Sequence, residues 1–229
     1  MDLRIALALL LTLPLTSFAD DYTVSGKAGL WRVDYSGELN GANTHDLGFD
    51  DETSRFIDVA VQHAYPKFPY VRLAYTQIDS TRAVRLDPVT VSDAKIDLSH
   101  IDATAYYRVL DSWGRIDLGL SLRYINGGLN TDTATQEQHT HINQLLPMAY
   151  ARLESDLPFV GWRAGVELSG TDFQDYKIVD YTVYARYLFD AVLDLGLDVG
   201  YRNFAFEADK GAGSDLGMRG PYAGLAFAF

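Results

Sequence analysis

The sequence predicts an all-β fold, a transmembrane antiparallel up-and-down β-barrel of ten strands, and three observations carry that prediction. Apolar and polar residues alternate with period two through most of the chain. The connections between alternating segments are short on one side and long on the other. The chain stops on Phe229, at the end of an alternating apolar run, Gly220-Pro221-Tyr222-Ala223-Gly224-Leu225-Ala226-Phe227-Ala228-Phe229. A final strand of that kind needs a partner on both edges, and a closed antiparallel barrel supplies one.

In chain order, residues 1–19 come first: Arg4, an apolar core from Ile5 to Leu15, and the small-x-small sequence Ser17-Phe18-Ala19. This is the pattern of a secretory signal peptide, and its apolar core of about a dozen residues is too short to cross a bilayer as a helix. The expected mature chain, 20–229, is long enough for one domain, and no linker interrupts it. No other segment has eighteen consecutive apolar residues, which excludes a helical inner-membrane protein. There are no cysteines, so no disulfide framework and no thiol chemistry are available. A net charge of −12 and a pI near 4.7 exclude nucleic acid as a partner and a polybasic membrane-surface role.

Ten strands are predicted at 22–35, 54–65, 70–80, 97–110, 115–125, 146–155, 161–170, 176–189, 193–206 and 219–229. Short turns fall at 64–69, 111–114, 155–160 and 190–192, and long polar connections at 36–53, 81–96, 126–144 and 207–218. A smaller connection lies near 170–175. Short turns on one side with long loops on the other is the pattern of outer-membrane barrels, with the short side periplasmic. An even strand number then puts both termini in the periplasm. Val84, Leu86, Val89 and Val91 alternate around Asp87-Pro88, which predicts a hairpin standing above the membrane within the second long connection.

The faces follow from the alternation. Ile116, Leu118, Leu120, Leu122 and Tyr124 share one face, against Asp117, Gly119, Ser121 and Arg123. Leu195, Leu197, Val199 and Tyr201 stand against Gly196, Asp198, Gly200 and Arg202. Similar splits set Val179, Tyr181 and Val183 against Asp180, Thr182 and Tyr184, and Ile101, Ala103 and Ala105 against Asp102, Thr104 and Tyr106. The apolar set faces lipid. Pro147 disturbs the sixth strand and its phase. A soluble sandwich would also alternate, but two aromatic bands discriminate. Tyr70, Tyr107, Trp113, Trp162 and Tyr187 lie near the short turns, and Tyr75, Tyr124, Tyr181 and Tyr201 toward the long loops, as interfacial girdles do.

Four segments, VQHAYPKFPYVRLAYT (61–76), DATAYYRVLDSWGRIDLGLSLR (102–123), DLPFVGWRAG (156–165) and the closing GPYAGLAFAF, resemble a family of small Gram-negative outer-membrane β-barrel proteins without an assigned activity. The resemblance implies the fold and a place in the cell outer membrane, among outer-membrane lipid and lipopolysaccharide. It also implies that Phe229 is the terminal mark read by the barrel assembly machinery. It brings no catalytic or cofactor-binding residue with it.

Charge on a lipid face costs several kcal/mol near the midplane, so charge collects inside. The predicted lumen network comprises Arg72, Arg108, Arg123, Arg163, Arg186 and Arg202 against Asp58, Asp102, Asp117, Glu167, Asp180 and Asp198. Arg72, Arg108, Arg163 and Arg186 are expected nearer the short turns, and Asp58, Asp102, Glu167 and Asp180 nearer the loops. A ten-stranded barrel is little wider than one filled by its own side chains, so a charge-paired, largely plugged lumen is expected. The alternative is a narrow passive channel for small solutes.

A third reading is a rim hydrolase acting on lipopolysaccharide or peptide. His45 beside Asp46, and Ser99-His100 near Asp97 and Asp102, put the needed residue types close in sequence only. His139 and His141, with Glu137, supply a partial metal-ligand set and no further ligand by spacing. Asp50-Asp51-Glu52 lacks calcium-loop spacing, and Gly211-Ala212-Gly213 precedes no helix. The expectation is therefore a non-enzymatic barrel without cofactor or metal, of structural or surface-interaction type.

Overall fold

The computed structural model describes residues 22–49, 51–85, 91–133, 136–158, 161–189, 194–209 and 213–229. The signal peptide, the Asp87-Pro88 turn and the connection at 190–192 lie outside them. Thirteen strand segments are formed: β1 (Tyr22–Leu39), β2 (Ala42–Asn43), β3 (Glu52–His63), β4 (Tyr70–Thr76), β5 (Asp79–Arg85), β6 (Val91–Asp97), β7 (His100–Asp111), β8 (Arg115–Thr133), β9 (Gln136–Asp156), β10 (Trp162–Phe173), β11 (Tyr176–Phe189), β12 (Asp194–Ala208) and β13 (Ser214–Ala228).

These segments make ten staves of one closed antiparallel barrel. β4 continues into β5 across Gln77-Ile78, and β6 into β7 across Leu98-Ser99. Each neighbour in sequence pairs with the next, and β13 returns to β1. The closing ladder sets Gly26 against Phe227, Leu30 against Ala223 and Trp31 against Tyr222. At its lower end Val24 and Phe229 exchange both backbone hydrogen bonds, at 2.8 and 2.9 Å. The last strand thus has β12 on one edge and β1 on the other, which closes the seam between the first and last strands.

The outward faces match the sequence reading. Leu118, Leu120, Leu122, Leu195, Leu197, Val183 and Leu225 are exposed, and Asp117, Arg123, Asp198 and Asp180 on the alternate positions are buried. Along β11 the outward apolar positions run from Phe189 to Val179. Ten residues at about 3.3 Å each, tilted by about 40°, rise about 25 Å, the height of a membrane-spanning band. The upper aromatic band forms with Tyr124, Tyr181 and Tyr201 exposed. In the lower one Tyr107, Trp113 and Trp162 are exposed. Tyr70 departs from expectation: it shares the face of Arg72, and its ring meets Tyr106 edge-on at 5.5 Å inside the barrel.

The long connections differ most from expectation. β8 and β9 continue to Thr133 and from Gln136, β1 runs to Leu39, and β13 begins at Ser214. Most of the described residues at 81–96, 126–144 and 207–218 are strand, whereas 36–53 is strand only at its two ends and at Ala42–Asn43. The hairpin at 81–96 exists as β5 and β6. Above the upper aromatic band the alternation inverts. On β8 the outward row passes from Leu122 and Tyr124 to Asn126 and Asn130, while the inward row passes from Ser121 and Arg123 to Ile125 and Leu129. β12 does the same after Tyr201: Asn203 and Glu207 turn outward, Phe204 and Phe206 inward. Water replaces lipid outside at this level, so polar residues return to the outer face and apolar ones line the interior. The result is a collar standing above the membrane-spanning band.

Pro147 has a structural reason. β9 pairs with β10 only up to Ala149, and beyond that its second edge is free while β8 continues alongside. A residue without an N–H fits where the ladder on one edge ends. Pro147 faces outward, and Met148, Tyr150, Arg152 and Glu154 therefore face the lumen.

Candidate functional site

The lumen holds the chain's densest charge. Its deepest member, Arg123 on β8, is 1% exposed and bidentate to Asp102 of β7, Nε to Oδ1 and Nη2 to Oδ2, both at 2.7 Å. The same guanidinium reaches across to Asp180 of β11 at 2.8 Å. Arg202 of β12 is also bidentate to Asp180, at 2.9 and 2.7 Å, and donates through Nη1 to Thr76 of β4 on the far side of the barrel at 2.9 Å. Arg202 lies over the Trp31 ring at 4.9 Å, and Arg123 over Phe204 at 5.3 Å. Toward the short turns, Arg72 of β4 donates to Asp58 at 2.9 Å and crosses the lumen to Glu167 of β10 at 2.8 Å.

Lower still, Asp117 accepts from Arg108 at 3.0 Å and from Arg152 at 3.0 Å. Asp198, 0% exposed, accepts from Arg186 at 2.7 Å and from the Tyr222 hydroxyl at 2.6 Å. Lys27 stands 3.8 Å from Asp198 and faces the rings of Phe56, Tyr184 and Tyr222 at 5.9, 5.3 and 5.4 Å. Tyr184 donates to Glu154 at 2.8 Å. Bidentate and charge-assisted geometry of this kind is what makes a buried ion tolerable. Between the pairs lies a cavity of ≈ 40 Å³, bordered by Asp58, Arg72, Asp102, Arg123, Asp180 and Arg202, with room for a few water molecules.

Eleven of the twelve residues in the predicted network meet in this interior. The twelfth, Arg163, sits at the turn end, where it pairs with exposed Asp156 at 3.0 Å, next to Arg115 on the same carboxylate at 2.8 Å. Acids and bases share each level: Arg123 and Arg202 lie loop-ward with Asp102 and Asp180, and Asp117 and Asp198 lie turn-ward with Arg108 and Arg186. The sequence reading missed Lys27, Arg152 and Glu154. The last two were legible from the alternation of Tyr150, Arg152 and Glu154, had Pro147 not hidden the phase.

Above the ion pairs the lumen turns apolar. Trp31, Ile78, Ile125, Ile178, Phe204 and Met218 are each 0% exposed, and His100 stacks on Phe204 at 5.4 Å with 14° between the rings. His100 binds the Leu98 carbonyl through Nδ1 at 2.9 Å, and the Ser99 hydroxyl accepts from the Ile78 amide at 3.0 Å. No catalytic arrangement of Ser99 and His100 exists: the imidazole is inside and buried, and the hydroxyl serves the backbone. The segment between β1 and β3 closes the mouth, with Leu47 and Phe49 buried at 5% and 2% and His45 and Asp46 facing out. Glu52 pairs with Arg82, and Asp51 with Arg32. Asp50, Gly211 and Ala212 lie outside the described residues.

On the outer wall of the collar, His139 and His141 border an open cleft of ≈ 440 Å³ together with Lys95, Asp97, Asn126 and Asn130. Among the described residues no three His, Asp, Glu or Cys side chains are grouped to hold a metal ion. No helix among them is long and apolar enough to cross a membrane, which does not bear on strands.

No family model and no curated protein matches the chain. Among solved structures, the Escherichia coli outer membrane protease OmpT aligns at 12% identity over 95% of this chain and 99% of its own, with a TM-score of 0.45. The translocator domain of the Neisseria meningitidis autotransporter NalP aligns at 12% identity over 99% and 94%, with a TM-score of 0.48. Neisserial surface protein A aligns at 14% identity over 90% and 95%, with a TM-score of 0.34. The first of the three is an outer-membrane protein by name. At such scores they carry no argument, and the closed barrel is read from this chain's own strand registers.

Proposed function

We propose that the chain is an integral outer-membrane barrel closed to solutes, whose raised collar meets the exterior in a structural or surface-interaction role. The observation that carries this is the succession inside the lumen: ion pairs that span the barrel, Arg72 to Glu167 and Arg123 to Asp180, lie under fully buried Trp31, Ile125, Ile178 and Phe204. An ion on its way through would have to break charge pairs that water no longer screens, then pass an apolar layer that does not wet. The ≈ 40 Å³ cavity between them is far smaller than a conduction path.

The outward apolar band and its aromatic borders support a bilayer location, and the leader pattern supports export, with both termini in the periplasm. Outer-membrane lipid, lipopolysaccharide and the assembly machinery are then the partners every such barrel meets. Recording from planar bilayers tests the proposal. The purified barrel is expected to leave the membrane silent, whereas steady channels of roughly tens of picosiemens or more would favour the narrow-channel reading instead.

A further inference from the structure

We propose that the cleft on the outer wall of the collar is a lipopolysaccharide site, which holds the phosphorylated sugar head of one molecule while its acyl chains run down the lipid-facing row below. The ladders place its walls. Asp97 of β6 and His141 of β9 stand on either side of Gly128 of β8, and one pleat higher Lys95 and His139 stand on either side of Asn130. Neighbouring strands lie about 4.8 Å apart, so the two walls are about 10 Å from each other. Gly128 is a floor with no side chain to fill the gap, and the space between the walls is ≈ 440 Å³.

The height of the cleft decides what meets it. Asn126, at its lower end, follows Tyr124 on the outward row of β8. Tyr124, Leu122 and Leu120 are exposed on that row, as is Leu145 of β9 opposite Tyr124. From Asn126 to Asn130 is about 13 Å of strand, or about 10 Å of height at a tilt of about 40°. The cleft therefore occupies the first layer above the hydrocarbon, where the sugars and phosphates of the outer leaflet lie. A glycolipid seated in it keeps its acyl chains against Leu120, Leu122 and Leu145 without leaving the bilayer.

The polar groups suit a phosphorylated sugar. Among the described residues no hydrogen bond occupies the side chains of Asn126, Asn130 or His141, so two amides and an imidazole remain for sugar hydroxyls. Asp97 accepts from the Ser99 amide through Oδ1 at 3.3 Å, which leaves Oδ2 to accept from a hydroxyl. Lys95 Nζ stands 3.7 Å from Asp97 and 3.9 Å from Asp79, beyond hydrogen-bond reach, on a side chain 41% exposed. Pairs so long and wet hold a lysine weakly, and a phosphate can take it. A phospholipid brings phosphate but no sugar for the trough, and a free sugar brings no chains for the leucines. Lipopolysaccharide brings all three.

The site rests on the bilayer location proposed above and not on the sealed lumen. Its probe is bisphosphorylated lipid A, the acylated sugar anchor of lipopolysaccharide, added to the refolded barrel in detergent and counted by native mass spectrometry. One molecule is expected to bind at least about tenfold more tightly than phosphatidylglycerol. Asn126→Trp, which fills the lower end of the trough, should weaken lipid A binding about tenfold or more, and so should Lys95→Ala with Asn130→Ala. Asn203→Trp, the first outward position above Tyr201 on β12, should leave it unchanged. Heat-modifiability checks that each variant is folded.

Imidazole resonances locate the bound head. The His141 signal, assigned through His141→Gln, should shift saturably with lipid A, while that of His63, beside the short turns, stays in place. Equal lipid A affinity in the native and Asn126→Trp proteins would overturn the proposal, as would an equal loss in Asn203→Trp, the mark of non-specific adsorption. Phosphatidylglycerol bound as tightly as lipid A would show that phosphate alone is read, and the deacylated head bound as tightly would show a soluble sugar ligand; either result refutes the site as stated. A barrel that conducts yet holds lipid A at the cleft would refute the sealed lumen alone.

Discussion

Arg123 is the most enclosed cation among the described residues, held by Asp102 and Asp180 from opposite flanks. Removing it leaves two carboxylates facing each other without their shared counter-ion. Arg123→Met should therefore cost about 3–5 kcal/mol, read as a lowered urea midpoint for loss of the heat-modifiable folded form. The triple change Arg123→Met, Asp102→Asn, Asp180→Asn should cost less than the single one, because no unpaired charge remains; a larger loss in the triple would show that the pairs are net stabilising. The role of Arg123 was legible in the sequence, since a basic residue between Leu122 and Tyr124 on an alternating strand has only the lumen to enter. Its partners were legible as a set but not as pairs: Arg72 with Glu167 joins staves far apart in the chain, and only closure sets their distance. Gly165 makes a related point. A Cβ there would lie 2.6 Å from the Tyr184 hydroxyl, which occupies the space on its way to Glu154.

At the scale of one element, β8 records both environments it crosses. Below Tyr124 its outward side chains meet lipid, and above it they meet water, so the same face changes character within two residues. Leu122→Arg should destabilise by about 2–4 kcal/mol, while Asn126→Arg, one turn of the pleat beyond the boundary, should stay within about 0.5 kcal/mol. Guanidinium titrations of the two refolded variants in lipid vesicles would compare them, and equal costs would misplace the boundary. The inversion also explains why the sequence reading ended its strands early. It followed the outward apolar row, and where that row turned to Asn126 and Asn130 it inferred a loop, although Ile125 and Leu129 carry on the alternation on the inner face. Period two persisted, and only its phase relative to solvent changed.

Across the whole molecule, three layers lie along one axis: a turn-ward zone of ion pairs and tyrosines, an apolar layer at the height of Phe204, and the segment between β1 and β3, which reaches β8 through the bond from Asn40 to Thr131. Trimming the collar hairpin at 127–141 should leave assembly intact, because everything below Tyr124 keeps its neighbours. Loss of heat-modifiable protein on trimming would make the collar part of the folding unit. Phe229 belongs to this scale as well. It exchanges both backbone bonds with Val24 and stays 46% exposed, so its side chain adds little to packing. Phe229→Asp should cut the amount of barrel reaching the outer membrane several-fold while leaving the refolded barrel's stability within about 1 kcal/mol; normal levels in membrane fractions would refute a role in assembly.

The sequence by itself determined the barrel, the strand phases in the membrane-spanning band apart from the strand that Pro147 disturbs, and most of the charges inside, because lipid on one face and a closed interior on the other force period two and exclude unpaired charge from the outer row. Tertiary structure alone decided which charges pair across the lumen, how far the staves rise above the bilayer, and that residues 40–49 fold back over the mouth. Those depend on distances set by closure and on the level at which water replaces lipid outside, and neither is written in the spacing of residues along a single strand.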